Sequence, residues 1–393
     1  VDREQDNREY AKTHPWITFR FSFKKLNEIN WMRIGESLSK SDHIAGVPLA
    51  PAVAQELHII YLAKGVHATT QIEGNTLTED EVRQQLQGEL KLPESQEYLG
   101  IETKNIADAC LMVIQELADG KDMTLTAERI KLFNKMVLAG LDPEEGAVPG
   151  EVRTHSVVVG NAYRGAPAED GEYLLARLCD WLRDFCDHLP QRYHRPAKIL
   201  RAVLAHLYIA WIHPFGNGNG RTARLIEFQL LADAGFPTPA CHLLSNYYNR
   251  TKTKYYAALA ETSRNPTHPV EHFISYALDG LVEELREVMK KIRHFQMMVA
   301  WTNYVHQRYA GVRSEARVRQ RELVLCLDPG RHTPVADLRR LTPSLAEKYA
   351  GKQQKTISRD VNSLEAAGLV QHTRAGVRPM IEKMEAFLPI RQS

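Results

Sequence analysis

Residues 213–224 read HPFGNGNGRTAR, from His213 to Arg224, and they separate two stretches of different character. Upstream, Ile199, Val203, Leu207 and Ala210 recur at helical spacing while Leu200, Leu204 and Trp211 occupy the other faces. That pattern predicts a helix over Ala197 to Ile212 that is apolar nearly all round and buried at a domain centre. Pro214 stops it, and glycines at 216, 218 and 220 punctuate the chain. Leu225, Ile226 and Leu230 then resume helical periodicity until Gly235 and Pro237. His213 is therefore expected where a buried helix meets a turn.

The same helical rule, for example at Val53, Leu57 and Ile60, runs through most of the chain and predicts a mainly α fold. A length of 393 residues with 44% hydrophobic content is ample for a buried core and suggests two or three folded units. The formal charge of +2, from 50 basic against 48 acidic residues, sets up no global field for nucleic acid or anionic membrane, so any basic surface must be local. Five scattered cysteines at 110, 179, 186, 241 and 326 form no Cys-x-x-Cys pair, which reads as reduced thiols in a cytoplasmic protein. The polar opening VDREQDNREYAKTHPW lacks the apolar core of a secretory signal, and AVLAHLYIAWI is too short to span a bilayer, so no membrane partner is expected.

Within the central loop, glycines leave backbone N–H groups uncovered, so successive amides can converge on an anion as a nest. The following helix adds its N-terminal dipole, while Arg221 and Arg224, three apart on its first turn, add fixed charge with fork geometry. Together these suit a di- or triphosphate. His213, with an ordinary pKa near neutrality, stands beside the nest and can take a proton from an attacking hydroxyl. A base next to a phosphate cradle points to phosphoryl or nucleotidyl transfer. No Gly-Lys-Ser/Thr follows the glycines and no H-E-x-x-H occurs, which sets aside P-loop and zinc-hydrolase chemistry.

At these residues the chain resembles the Fic family, whose signature HPFx(D/E/N)GNGRxxR is matched over nearly its full length. The resemblance implies a helical Fic core that binds ATP with Mg²⁺ or Mn²⁺ and transfers AMP to a hydroxyl of a target protein. His213 would be the general base and Phe215 an apolar anchor for the loop. Gly218, Asn219 and Gly220 would form the nest, and Arg221 and Arg224 would neutralise the β- and γ-phosphates. The position usually filled by an acidic metal ligand is Asn217, whose amide oxygen brings no negative charge.

Three further stretches gain a reading from this resemblance. Between Pro149 and Pro167, SVVVGNAYRGAP, a β-branched run followed by turn residues, predicts a short β-hairpin carrying Val157, Val158 and Val159, and GEVRTHSVVVG, from Gly150 to Gly160, resembles the flap that pairs with an extended target, with Val158 assigned to nucleotide binding. Taken alone, it is equally an ordinary surface hairpin. RTKTKYYAAL resembles the segment that stacks on adenine through Tyr255 or Tyr256, with Tyr255 the residue assigned to nucleotide binding. TTQIEGN, from Thr69 to Asn75, places Glu73 before a Gly-Asn pair that should end a helix, with Thr78 and Glu81 forming a capping box for the next. A glutamate at a helix C-terminus opposes the dipole, and the stretch resembles the family's inhibitory motif (S/T)xxxE(G/N) through Thr69, Glu73 and Gly74. In that reading Glu73 pairs with Arg224 and takes the guanidinium that would grip the γ-phosphate.

Beyond Arg313 the composition resets. Three short helices are expected from Glu322 to Gly368, with Ile357, Val361 and Leu364 inward and Gln354, Lys355, Ser358, Arg359 and Asn362 outward. Two β-prone stretches around Gly376 follow, so the unit resembles a winged helix-turn-helix domain that binds DNA or another protein. The expected organisation is an N-terminal helical region over 1–123 with the inhibitory segment, a Fic domain over 124–265, a helical extension over 266–312 and the winged helix over 313–393. The expected activity is autoinhibited protein adenylylation of a Tyr, Ser or Thr on a target or on the chain itself, with a homodimer as a further expectation. Two other readings stay open: a DNA-binding regulator whose core senses nucleotide, and a hydrolase that removes AMP.

Overall fold

A computed structural model describes residues 8–143, 146–159, 163–264, 270–311 and 314–385. The boundaries read at 265/266 and 312/313, the hairpin tip that includes Gly160, and residues 386–393 of the expected C-terminal domain lie outside the described residues. The described residues are mainly helical, with two small antiparallel sheets. The chain divides into two compact units, Val1–Met289 and Lys290–Ser393.

The first unit contains α1 (Glu28–Gly46), α2 (Pro51–Ile72), α3 (Glu79–Gln87), α4 (Glu97–Ala118) and α5 (Ala127–Val137). Strands β1 (Val158–Val159) and β2 (Tyr163–Arg164) follow, then α6 (Gly171–Arg183), α7 (His194–Ile212), α8 (Asn219–Asp233), α9 (Leu243–Arg250) and α10 (Lys252–Arg264). Helix α7 realises the all-round apolar pattern: Ile199, Val203, Leu204, Leu207 and Ile212 have no solvent exposure. Its principal neighbour is α8, so the two helices that flank the glycine loop form the centre of the unit. Burial of this kind contributes about 1.5–3 kcal/mol per large aliphatic side chain, so the loop between the two helices is held by the core of the unit.

Helix α2 ends as its sequence predicts. The Glu73 N–H turns back to the Thr70 carbonyl at 3.0 Å, and Gly74 adopts φ +107°. The Thr78 hydroxyl and the Glu81 carboxylate then complete the capping box that starts α3. Strands β1 and β2 pair Val158 with Arg164 and Val159 with Tyr163, as the valine-rich stretch predicts.

Helix α11 (Glu271–Arg308) begins in the first unit and ends in the second, so the unit boundary falls inside the segment read as a separate extension. The second unit continues with α12 (Glu315–Cys326), α13 (Pro343–Lys348), α14 (Gln354–Ala366), β3 (Val370–Thr373) and β4 (Gly376–Pro379). Thr333 bridges to Val377 beside the β3–β4 hairpin. Leu323, Leu338, Leu345, Ile357, Val361 and Leu364 form its core. Arg319, Gln320 and Tyr349 all bond the buried Asp360, which fixes α14 by a satisfied polar cluster as well as by apolar packing. The expected outward residues Gln354, Lys355, Ser358, Arg359 and Asn362 are all exposed.

All five cysteines are free. No helix among the described residues is long and apolar enough to cross a membrane.

Candidate active site

The site is built on the end of α7 and the start of α8. His213 follows α7 with φ +50°, a left-handed conformation costly for a residue with a Cβ, and Pro214 prevents the helix from continuing. Arg153, absent from the sequence reading, supports that strain. Its Nε donates to the His213 carbonyl at 2.7 Å, another guanidinium nitrogen to the His155 carbonyl at 2.6 Å, and a third to the Ala166 carbonyl. The Arg153 backbone N–H donates to the Pro214 carbonyl at 2.9 Å. One buried cation thus ties the loop to both ends of the β1–β2 hairpin. At Gly165 a Cβ would lie 2.8 Å from the His213 Cβ, so the hairpin base stands directly against the histidine.

Phe215 is 1% exposed and acts as the expected anchor. The Asn219 side chain closes the turn, accepting from the Phe215 N–H at 2.9 Å and donating to the Phe215 carbonyl at 2.7 Å. Asn134, from α5, donates to the Asn217 carbonyl at 2.9 Å and accepts from the Gly150 N–H at 2.9 Å. Gly218, at φ +76°, precedes α8, and helix geometry leaves the first N–H groups of α8 without intrahelical acceptors. The expected nest is therefore the N-terminus of α8, held by side chains that do not themselves enter it.

Glu73 fills the space in front of that N-terminus. Its Oε1 lies 2.5 Å from an Arg224 guanidinium nitrogen, which also donates to the Thr69 carbonyl at 3.0 Å. A Cβ on Gly220 would collide with the same carboxylate oxygen, so only glycine admits an anion this close to the helix backbone. Burial alone would raise the Glu73 carboxyl, but the Arg224 charge and hydrogen bond, with Arg221 and His213 adding to them, hold it below the usual carboxylate range. Arg224 meanwhile donates to the Thr69 carbonyl in the last turn of α2, a favourable place for a cation. Burial pushes the His213 imidazole down to about 4; the Ala210 carbonyl and the Glu73 charge act in the opposite sense and Arg153 adds to the depression. His213 is accordingly neutral, with a lone pair free to accept a proton, at physiological pH.

The remaining expected site residues divide. Arg221 is 7% exposed and pairs with Glu102 at 2.5 Å and with the Asn217 amide oxygen at 2.9 Å. Asn217, expected as a metal ligand, thus has its oxygen engaged by a cation. No group of three or more His, Cys, Asp or Glu able to hold a metal occurs among the described residues. These residues do not by themselves build a divalent-metal site. Tyr255, expected on the adenine, is instead 3% exposed: its hydroxyl bonds His206 at 2.9 Å and its ring stacks on Tyr248 at 4.8 Å. Tyr256 is 44% exposed and is the member of the pair that reaches the surface, where the Glu73 and Arg224 charges still act on it. Val158 is 55% exposed on the hairpin. A pocket of about 550 Å³ opens beside the loop, lined by Glu73, Tyr98, Glu102, Asp142, Asn217 and Arg221 among others.

A glycine turn, a helix N-terminus, two buried arginines and a neutral histidine coincide in this site, and residues 124–231, which contain it, match the Fic/DOC family. This chain carries a Fic domain. Around the Fic domain the likeness extends further. The chain is 28% identical over 289 residues to protein adenylyltransferase fic-1 of Caenorhabditis briggsae, covering 71% of this chain and 50% of that protein. It is 30% identical over 218 residues to protein adenylyltransferase Fic of Culex quinquefasciatus, covering 53% of this chain and 39% of that protein. The chain thus spans about half or less of the length of these curated relatives. Among solved structures, a Fic family protein from Desulfovibrio desulfuricans has the same fold at TM-score 0.53 and 18% identity, over 87% of this chain and 92% of that one. A Fic-1 fragment from C. elegans gives TM-score 0.54 at 22% identity, over 68% of this chain and 73% of that one.

The sequence reading missed Arg153, Asn134 and Glu102. No local pattern marks them, because each acts through a partner far away in the chain.

Proposed function

We propose that this chain is an autoinhibited protein adenylyltransferase. The observation that carries the proposal is the Glu73 carboxylate, seated on Arg224 and against Gly220 where an anionic ligand of the α8 N-terminus would sit. The names of the curated relatives support the transfer of AMP from ATP. In the active arrangement Glu73 leaves, and the polyphosphate takes its place against the backbone of residues 218–220 with Arg221 and Arg224 as counter-charges. His213 removes the proton from a Tyr, Ser or Thr hydroxyl of a target, or of the chain itself. The hydroxyl oxygen attacks the α-phosphorus, the bond from that phosphorus to the α,β-bridging oxygen breaks, and pyrophosphate leaves. Tyr256 stacks on the adenine, while Thr69 and Gly74 shape the turn that presents Glu73. Val158 and the β1–β2 hairpin dock the target segment by backbone pairing. A divalent cation would be held on the protein side by the Asn217 amide oxygen alone and would supply further positive charge to the phosphates.

The test is incubation of wild type and Glu73→Gly with ATP, Mg²⁺ and cell lysate, followed by mass spectrometry for added AMP. The variant is expected to modify protein faster than wild type. Equal or slower transfer by folded Glu73→Gly overturns the autoinhibitory assignment.

We further infer that the second unit is a winged helix that contacts duplex DNA. The order α12, the Thr333 bridge, α13, α14 and the β3–β4 hairpin supports it, as do the exposed Lys355 and Arg359 of α14 beside amide side chains. Binding of duplex DNA by the whole chain should weaken with salt and be lost in Lys355→Ala/Arg359→Ala. Binding that ignores both changes removes this inference.

A further inference from the structure

Arg221 has a carboxylate of its own. Glu102, on α4, places Oε1 2.5 Å from one Arg221 guanidinium nitrogen, and the two side chains are only 11% and 9% exposed. Its other oxygen, Oε2, accepts from the Asn75 amide at 2.8 Å. Asn75 is held in turn: its amide also donates to the Leu99 carbonyl at 3.1 Å and its oxygen accepts from the Leu77 N–H at 3.0 Å. Glu102 is therefore fixed from one side by the turn that follows Glu73 and presents its charge on the other side to the loop. Among the described residues the buried Arg221 Nε–H has no hydrogen-bond partner, and neither has that of Arg224. Each arginine keeps a donor unused while its charge is neutralised by a carboxylate.

We propose that Glu102 sets the affinity of the loop for polyphosphates by neutralising Arg221, as a second brake separate from Glu73. The proposal rests on the reading of the loop as a nucleotide site. The physical reason is that two charges in contact, both sequestered from water, present little net field to a third. An incoming phosphate gains the full attraction of Arg224 once Glu73 leaves. From Arg221 it gains only what Glu102 does not cancel. Glu73 ends α2 and can leave Arg224 by turning its own side chain, whereas Glu102 projects from the second turn of α4 and is held by Asn75, so this second brake persists when the first is released. Glu102 is a positioning and affinity-setting residue; it contacts no reacting atom.

Glu102→Gln keeps an oxygen that accepts from Arg221 and removes the charge. In the Glu73→Gly background, calorimetric titration should give about three- to tenfold tighter binding of ATP than Glu73→Gly alone. Binding of AMP, which lacks the β- and γ-phosphates, should be unchanged. Because Gln presents an amide to the Asn75 amide, the same comparison made with Asn75→Ala included removes that clash and covers the case in which Glu102→Gln does not fold. ATP binding that is equal or weaker in the Gln variant overturns the proposal, and so does an equal gain for AMP, which would mark general loosening of the pocket. If Glu73→Gly itself binds no ATP, the nucleotide reading falls and this inference with it; measurable but unaltered binding defeats this inference alone.

Discussion

Glu73 and Arg224, separated by 151 residues in the chain, meet at 2.5 Å in front of the α8 N-terminus, with the Arg224 side chain 1% exposed. A guanidinium so deeply buried needs an anion at all times. Under the proposed function Glu73 and a polyphosphate are alternatives for that role, and the expected effects of changing Glu73 and Gly220 follow from their competition.

Removal of Glu73 should therefore destabilise the unliganded protein while activating it. Leaving a buried charge unpaired costs about 3 kcal/mol, so Glu73→Gly is expected to melt several degrees below wild type and to recover most of the difference at saturating ATP. Thermal shift with and without ATP checks this. A variant as stable as wild type without nucleotide would mean that Arg224 has another partner.

Gly220→Ala tests the shared space. The substitution suits a helix, yet its Cβ would strike the Glu73 carboxylate and lie 3.2 Å from an Arg224 nitrogen. The phosphate is expected in the same place, so alanine should lower ATP binding at least about tenfold even in the Glu73→Gly background. Tight binding by the double variant would show that the phosphate sits elsewhere.

His213→Ala should abolish AMP transfer while ATP still binds. With its pKa pushed down to about 4, the imidazole is in its basic form throughout the neutral range. Loss of transfer on the acid side is thus expected well below the ordinary histidine value of about 6.5. An inflection near 6.5 would indicate that burial of His213 is relieved when Glu73 leaves.

The same depressed histidines govern acid stability. Burial holds His213 at about 4 and His242 at about 3, the latter with His58 adding to the depression. Below about pH 6.5 the unfolded chain takes up protons that the folded one refuses, so stability is full above that value and falls as pH drops toward 4. Melting temperatures from pH 7.5 to 4.5 should decline, and His213→Asn should flatten the slope. A pH-independent melting temperature over that range contradicts the assignment.

The two adjacent tyrosines should separate cleanly. Tyr256→Ala is expected to weaken ATP binding by about tenfold, the value of one aromatic–base stack, with little effect on melting. Tyr255→Phe loses the bond to His206 and should cost about 1 kcal/mol of stability without a comparable effect on binding. Paired equilibrium unfolding and ATP titration distinguish the two. The reverse pattern would return the adenine to Tyr255.

What the sequence by itself determined are the features whose partners are consecutive or one helical turn apart. The buried α7, the break at Pro214, the glycine turn, the arginine pair on α8, the capping box at Thr78 and the valine hairpin belong to this class, because helix period, turn chemistry and nest geometry are local properties. The pairing of Glu73 with Arg224 was legible only through resemblance to a family, since a glutamate at a helix end does not name a cation 151 residues away. Tertiary structure alone decided that Tyr255 faces inward and Tyr256 outward, that Asn217 spends its oxygen on Arg221, that Arg153 and Asn134 brace the loop, and that Glu102 holds the second arginine. The reason is physical. A buried charge takes whichever partner packing brings within hydrogen-bond reach, and that choice is made between helices, where the spacing of residues along the chain carries no information.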